Sequence, residues 1–374
     1  MNKRVPKYSL EGFNIKNYQG IKEIDIQNLP QASPWIFLTG ENGFGKTSVL
    51  KALSAFIGKK KEMYLPQATK IAVDIKEYKG KNRSSLPKEC VAYGPNRLSI
   101  SDARSSNDPK LETNLSSLFE NTPLLNIESY LPNWYKDQLL ALNGIKSSDH
   151  LFEQTRNLFL KVMPNLVDMK IVSNNIKDEV VYIEENEPKI NKELHQLASG
   201  NKSLVAFIGD LLIRLLQQNS TKDIRQLGGI VFIDEMDLHL HPIWQKKLPT
   251  LLSEIFPRIQ FVASTHSPIP LLGAPEGSVF LKVNRSEEEG ITVERLETLE
   301  TEIKNLLPNT ILSSPIFGFN EIFSVQHHKG EKVQTEDTYE DVLKRKKVKE
   351  KISKLNPEQE AELKEFLKKR RDEK

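Results

Sequence analysis

Cysteine is almost absent: Cys90 is the only one in 374 residues. No disulfide can form within such a chain, so it must hold itself together by burial, which its length permits. Long apolar runs are missing as well. The greasiest stretch, residues 204–216, is interrupted by Asp210 and Arg214 and is too short to span a bilayer. Met1-Asn2-Lys3-Arg4-Val5-Pro6-Lys7 lacks the apolar segment of a secretory signal. Together these absences give the expectation of a cytoplasmic protein that enters no membrane. Charge of one sign is not in excess either: 53 basic residues face 50 acidic ones, a net +3. Nucleic-acid binding therefore cannot be argued from overall charge and would need a local basic patch. Sustained heptads are lacking in residues 111–167, which argues against a long coiled-coil arm there.

What is present begins with Gly40-Glu41-Asn42-Gly43-Phe44-Gly45-Lys46-Thr47, entered from Trp35-Ile36-Phe37-Leu38 and followed by Ser48-Val49-Leu50-Lys51-Ala52-Leu53. This is the G-x-x-x-x-G-K-[ST] pattern in the strand, loop and helix setting it requires. The glycines let backbone N–H groups curl around phosphate oxygens, and the helix N-terminus adds partial positive charge. Lys46 is expected on the β- and γ-phosphates and the Thr47 hydroxyl on Mg²⁺. Gly40, Asn42, Gly43, Phe44, Gly45, Lys46, Thr47 and Ser48 are thus the expected nucleotide contacts of this segment, with ATP and Mg²⁺ as the cofactors.

Around this loop the pattern reads as an α/β protein. Phe13-Asn14-Ile15 and Ile21-Lys22-Glu23-Ile24-Asp25-Ile26 alternate apolar with polar and predict a hairpin. Trp35 to Leu38 does not alternate, which predicts a strand covered on both faces. Further strands are expected at Ile71-Ala72-Val73-Asp74-Ile75 and Cys90-Val91-Ala92-Tyr93, then a turn at Gly94-Pro95-Asn96. Residues 99–109 read as a polar loop. Residues 111–167 lean helical, broken at Pro123, Pro132 and Pro164 and anchored by Phe119, Tyr130, Trp134, Phe152 and Phe159, which predicts a compact helical insertion. Glu179-Val180-Val181-Tyr182-Ile183 predicts a strand returning to the main sheet. Beyond residue 283 a strand is expected at Ile291-Thr292-Val293 and an acidic helix over residues 294–306. In residues 331–374 basic and acidic residues nearly balance; this charged tail reads either as a solvated segment or as one that docks a partner or nucleic acid. His327-His328 is read as solvated. The expected divisions are residues 1–98, an N-terminal lobe; 99–176, the helical insertion; 177–325, a C-terminal lobe; and 326–374, the tail.

Three later segments carry chemistry. Gly228-Gly229-Ile230-Val231-Phe232-Ile233 is an apolar strand ending in Asp234-Glu235. Asp234 is expected to hold Mg²⁺ with Thr47, and Glu235 to orient or deprotonate the attacking water. Ile259-Gln260-Phe261-Val262-Ala263-Ser264-Thr265 is another such strand, and His266 at its end can hydrogen-bond a γ-phosphate or that water. Ser199-Gly200 opens an amphipathic helix with Leu204, Phe207, Ile208, Leu211, Leu212, Leu215 and Leu216 on one face. A hydroxyl, a flexible backbone and a helix N-terminus suit a phosphate oxygen. Since Lys46 already covers the phosphates of its own subunit, two subunits sandwiching two ATPs would use this second anion site. Asp237, His239 and His241 invite a metal reading, but the set lacks a further ligand and Pro242 points to a turn into a helix, so subunit contact is the preferred reading.

The ordered set of motifs resembles the ABC-type ATPase superfamily and, within it, the RecF-like and overcoming-lysogenization-defect-like branch of prokaryotic AAA ATPases. Gly40 to Thr47 resembles the Walker A motif, Leu197-Ala198-Ser199-Gly200-Asn201-Lys202 the signature, Ile230 to Glu235 the Walker B motif, Asp237 the D-loop and His266 the switch histidine. The resemblance implies a P-loop fold with a mostly parallel core sheet and an N-terminal antiparallel β subdomain. It also implies a head-to-tail dimer in which Ser199 and Gly200 of one subunit complete the site around Lys46 of the other. Two departures stand out: Leu197-Ala198-Ser199-Gly200-Asn201 is not the transporter-type Leu-Ser-Gly-Gly-Gln, and no glutamine loop is evident, residues 93–97 falling where it would be. The size and short insertion look most like ATPase subunits of bacterial defence systems such as Septu, which implies a separate nuclease or other effector subunit as partner. No nuclease cluster of acidic residues and histidines is convincing in this chain. A RecF- or Rad50-like ATP-dependent DNA-binding clamp in repair is the alternative, with DNA as a possible partner; a transporter motor is disfavoured by the signature.

Overall fold

Side chains alternate across a strand, so a strand that is apolar at every position must be covered on both faces. The fold is built on five parallel strands, of which those at residues 35–39, 90–93 and 228–233 are buried at every position. The computed structural model describes residues 5–78, 86–97, 99–100, 114–143, 150–163, 165–173, 178–303 and 311. The chain divides into two units, Met1–Asn320 and Glu321–Lys374, and all described residues belong to the first.

In chain order the elements are β1 (Tyr8–Tyr18), β2 (Ile21–Ile26), β3 (Trp35–Thr39), α1 (Lys46–Ile57), α2 (Lys61–Tyr64), β4 (Lys70–Glu77), β5 (Cys90–Tyr93), α3 (Ser116–Glu120), α4 (Leu131–Leu142), α5 (Leu151–Val162), β6 (Leu166–Ser173), β7 (Asp178–Glu184), α6 (Ser199–Gln218), β8 (Gly228–Ile233), α7 (Pro242–Ile255), β9 (Arg258–Ser264), α8 (Ile269–Leu272), β10 (Val279–Ser286), β11 (Gly290–Arg295) and α9 (Glu297–Glu302). One sheet runs β4-β1-β2-β11-β10-β3-β9-β8-β5. Its half from β10 to β5 is parallel, and its half from β4 to β10 is antiparallel. The expected parallel core and antiparallel β subdomain are therefore one continuous sheet. The antiparallel half also takes in β11 from late in the chain.

The parallel strands sort their side chains cleanly. Trp35 and Phe37 of β3, Val231 and Ile233 of β8, and Phe261 and Ala263 of β9 join the core beneath α6 and α7. Ile36 and Leu38, Ile230 and Phe232, and Val262 face the other way, into the core around α1 and the β1–β2 hairpin. Trp35 stacks on Phe261 and Phe37, with ring centroids 4.5 and 5.2 Å apart, forming an aromatic row along the first face. The insertion shares that core: Phe152, Phe159 and Met169 pack in it with α6 residues such as Leu211 and Leu212.

Three expectations change. Residues 179–183 form a strand, but β7 pairs antiparallel with β6 in a separate two-stranded sheet and does not return to the main one. A neighbouring strand closes a short loop at small entropic cost, and the apolar face of this pair is already covered by the insertion. The insertion is consequently not purely helical. β10 has no counterpart among the expected strands, and the acidic helix is the short α9, because β11 continues through Arg295. The charged tail, His327-His328 and most of the 99–109 loop lie outside the described residues.

The amphipathic helix α6 carries a polar exception at its buried heart. Asp210 is 0% exposed and accepts hydrogen bonds from Arg214 Nε and Leu125 N, both at 2.7 Å, and from the Tyr93 hydroxyl at 2.5 Å. Burial first, and then the Asp210 charge, raise the Tyr93 hydroxyl well above its usual pKa. Removing one member strands the others. Asp210→Ala is expected to lower the unfolding free energy by about 3–5 kcal/mol in urea titrations, and adding Arg214→Leu to recover part of it.

Candidate functional site

Parallel strands deliver their C-terminal ends to one edge, and there the chemistry collects. β3 runs into Gly40, β8 into Asp234, β9 into Thr265 and His266, and β5 into the segment ending at Arg97.

Gly40 and Gly45 both have left-handed backbones, with φ of 134° and 99°. A Cβ on Gly45 would lie 2.3 Å from Ile291 Cδ1, and one on Gly40 2.4 Å from the Val283 carbonyl oxygen. Gly45 is also the N-cap of α1, which has no side-chain cap and no acidic residue in its first turn. Its amides are left to face an anion. Lys46, 7% exposed, donates to the carbonyls of Gly40 at 2.8 Å and Glu41 at 2.9 Å. Burial lowers its pKa, against the pull of Asp234, Glu235, Asp237 and Glu41.

Thr47 Oγ1 donates to Asp234 Oδ2 at 2.8 Å, and Ser264 Oγ donates to Asp234 Oδ1 at 2.5 Å. The fold thus brings Thr47 and Asp234 into direct hydrogen-bond contact. A hydroxyl and a carboxylate are hard oxygen donors and fit a Mg²⁺ ion, which would be held by Thr47 and Asp234. Glu235 donates its backbone N–H to Ser264 Oγ at 2.8 Å, has φ of 48° and keeps its side chain half-buried. His266 turns to Asp237 instead of Glu235, with Nε2 3.5 Å from Asp237 Oδ2. Thr265 Oγ1 donates to the same carboxylate at 2.6 Å. The Ser48 hydroxyl donates to Gln19 Oε1 at 3.0 Å, Asn42 is exposed, and Phe44 is half-buried against the β1–β2 core. Gly43 has φ of 81°, and its carbonyl accepts from Arg285 Nη1 at 3.2 Å.

Ser199 is the first residue of α6, and a Cβ on Gly200 would meet nothing within 4 Å. No hydrogen bond among the described residues joins Gly200 to the phosphate loop. His241 is the N-cap of α7, its Nδ1 accepting from Ile243 N at 3.4 Å, and Pro242 takes the first helical position.

Arg97 was not among the expected site residues. It donates through Nη1 to the carbonyls of Asp234 and Gly94 and through Nη2 to that of Glu235. Loss of water around the guanidinium lowers its pKa to about 10, although Asp234, Asp237 and Glu235 pull it upward. Gln19 and Arg285 are also additions, from two hairpin tips that flank the loop. Only the position of residues 93–97 after a strand hinted at any of them.

These features define a P-loop nucleotide-site architecture on an α/β sheet. A family model described as "AAA domain, putative AbiEii toxin, Type IV TA system" matches residues 78–270, and the chain belongs to that family. The match includes residues 199–200, 234–235 and 266, while the loop at 40–47 precedes it. The Septu protein PtuA of Bacillus mycoides (strain KBAB4) is 27% identical over 353 residues, covering 84% of this chain and 46% of that protein. The Retron Vc95 probable ATPase of Vibrio cholerae serotype O1 biovar El Tor is 46% identical over 79 residues, covering 21% of this chain and 15% of that one. The chain thus spans less than half the length of these curated relatives. Among solved structures, the SMC head domain from Thermotoga maritima aligns with a TM-score of 0.43 at 13% identity, covering 77% of this chain and 99% of that one. No helix among the described residues is long and apolar enough to cross a membrane.

Gly45→Ala is expected to lower the unfolding free energy by about 1–3 kcal/mol in urea titrations, because the residue gains both the Ile291 contact and an unfavourable φ. Adding Ile291→Ala should return only the contact part.

Proposed function

We propose that this chain binds and hydrolyses ATP with Mg²⁺, and that two copies close head to tail around the nucleotide to regulate a separate effector. The observation that carries the reading is the Thr47–Asp234 hydrogen bond beside the buried Lys46. It joins what would be the two halves of a phosphate and metal site, from residues 187 positions apart in the chain.

In this reading Lys46 exchanges its carbonyl partners for the β- and γ-phosphates, which the loop amides around Gly43 and Gly45 also hold. Thr47 and Asp234 hold the metal, which supplies neutralisation of charge on the phosphates when bound. Glu235, backbone-fixed but half-buried, orients the attacking water and takes its proton. His266 leans on Asp237 and senses the γ-phosphate from there. Ser199 and Gly200 at the start of α6 complete the site of a second subunit. ATP then works by binding the closed dimer better than ADP does. The lobes at 1–98 and 177–325, the insertion at 99–176 and the tail at 326–374 are proposed as the working parts, with the tail as a docking element.

The effector role rests on likeness to the Septu protein PtuA and to a retron ATPase. From these we infer a cytoplasmic antiviral defence role and a nuclease as the effector. The competing reading, a DNA clamp, makes a different demand: duplex binding that weakens steeply with salt and strengthens with ATP. Titrating duplex DNA at graded salt, with and without nucleotide, separates the two.

Lys46→Ala is expected to weaken ATP binding at least about tenfold by equilibrium titration. Glu235→Gln should keep binding, slow hydrolysis by roughly 10²–10⁴-fold and leave an ATP-dependent dimer visible by light scattering. Hydrolysis at the parental rate in Glu235→Gln would remove Glu235 from the base role.

A further inference from the structure

A half-buried arginine spans the turn that carries the proposed base. Arg97 leaves the segment after β5, crosses to the end of β8 and donates to two consecutive carbonyls, those of Asp234 and Glu235, the second at 2.7 Å. Two donors in one plane at fixed spacing are what a guanidinium has and an ammonium lacks. On the other side of the same residue, Ser264 Oγ accepts the Glu235 N–H at 2.8 Å. Glu235 is thus held through both its N–H and its C=O, in a left-handed conformation that a residue with a side chain seldom adopts. Such a conformation persists only where its surroundings impose it.

The same guanidinium lies 5.9 Å from the Phe207 ring of α6. It borders a small cavity of about 30 Å³ whose other walls include Ser203 and Phe207 of α6 and Met236 and His239 of the turn. Arg97 therefore stands between the helix that opens with Ser199-Gly200 and the residue that would activate water.

We infer that Arg97 is a positioning residue: its fork sets the backbone of Glu235, and so aims the carboxylate, and it links that aim to the seating of α6. The inference rests on the reading of Glu235 as the base. It assigns to residues 93–97 a role carried by backbone hydrogen bonds to the Asp234-Glu235 turn, without any contact to nucleotide.

The test uses the full chain carrying Arg97→Lys and Arg97→Ala. The expected result is a kcat lower by about tenfold for Lys and about a hundredfold for Ala, with the nucleotide Kd within about threefold of the parent. In a Glu235→Gln background, Arg97→Ala should slow hydrolysis no further. Hydrogen exchange supplies a readout independent of hydrolysis: amides of residues 234–238 should exchange faster in both variants, with the rest of the sheet unchanged. An unaltered exchange pattern, a Kd that weakens as much as kcat falls, or a full additional loss in the Glu235→Gln background would each overturn the inference. A parent chain without any hydrolysis would instead sink the ATPase reading, and hydrogen exchange alone would then decide whether Arg97 holds the turn.

Discussion

The Asp234 carboxylate is 2% exposed, and a buried carboxylate without partners is among the most costly groups a protein can hold. Its two oxygens are met by hydroxyls from two other elements, Thr47 at the start of α1 and Ser264 at the end of β9. Lys46, also buried, contributes its charge from the same turn of α1. Satisfying this one group fixes how the loop after β3, the end of β8 and the end of β9 sit together. The strand order β3-β9-β8 is the arrangement that lets both hydroxyls reach it.

That arrangement in turn needs a sheet buried on both faces. The alternate residues of β3, β8 and β9 supply two cores, one under α6 and α7 and one around α1, so the strands cannot slip by one residue without turning each core inside out. The register that places Leu38 opposite Ser264 and Ile233 opposite Ala263 is thereby locked. The site residues begin one or two positions further on. Precision at the edge is a consequence of packing in the middle.

Much of this was legible in the sequence because the signals are local. A run of four apolar residues before a glycine-rich loop marks β3, and steps of three and four mark α6. What was not legible is long-range. The apolar run Val180-Val181-Tyr182-Ile183 identifies a strand but not its partner, and β7 chose the adjacent β6. β10 was missed because Lys282 and Asn284 break its apolar run, although its other face is buried. Arg97 reaches residues 137 and 138 positions away, a contact that no periodicity announces. For His266, the end of a strand was predictable, but its lean toward Asp237 follows from the side chains around it.

The turn from Asp234 to His241 joins stiffness to access. Two of its residues, Glu235 and His239, take positive φ, and neither is glycine. Its carbonyls are claimed from outside: those of Asp237 and Leu240 by Gln245 Nε2 at 3.1 and 3.0 Å, and those of Asp234 and Glu235 by Arg97. The side chain of Asp237 is held by Thr265. Once backbone and neighbours are so committed, the half-buried Glu235 carboxylate and the His266 ring, more exposed though it leans on Asp237, are the parts best placed to respond to what enters the site. A rigid backbone beneath accessible side chains is what a preorganised site requires, because the cost of ordering is met on folding and not when a ligand enters. The strain in the turn fits this division, since it is sustained by the same hydrogen bonds that hold the Glu235 backbone in place.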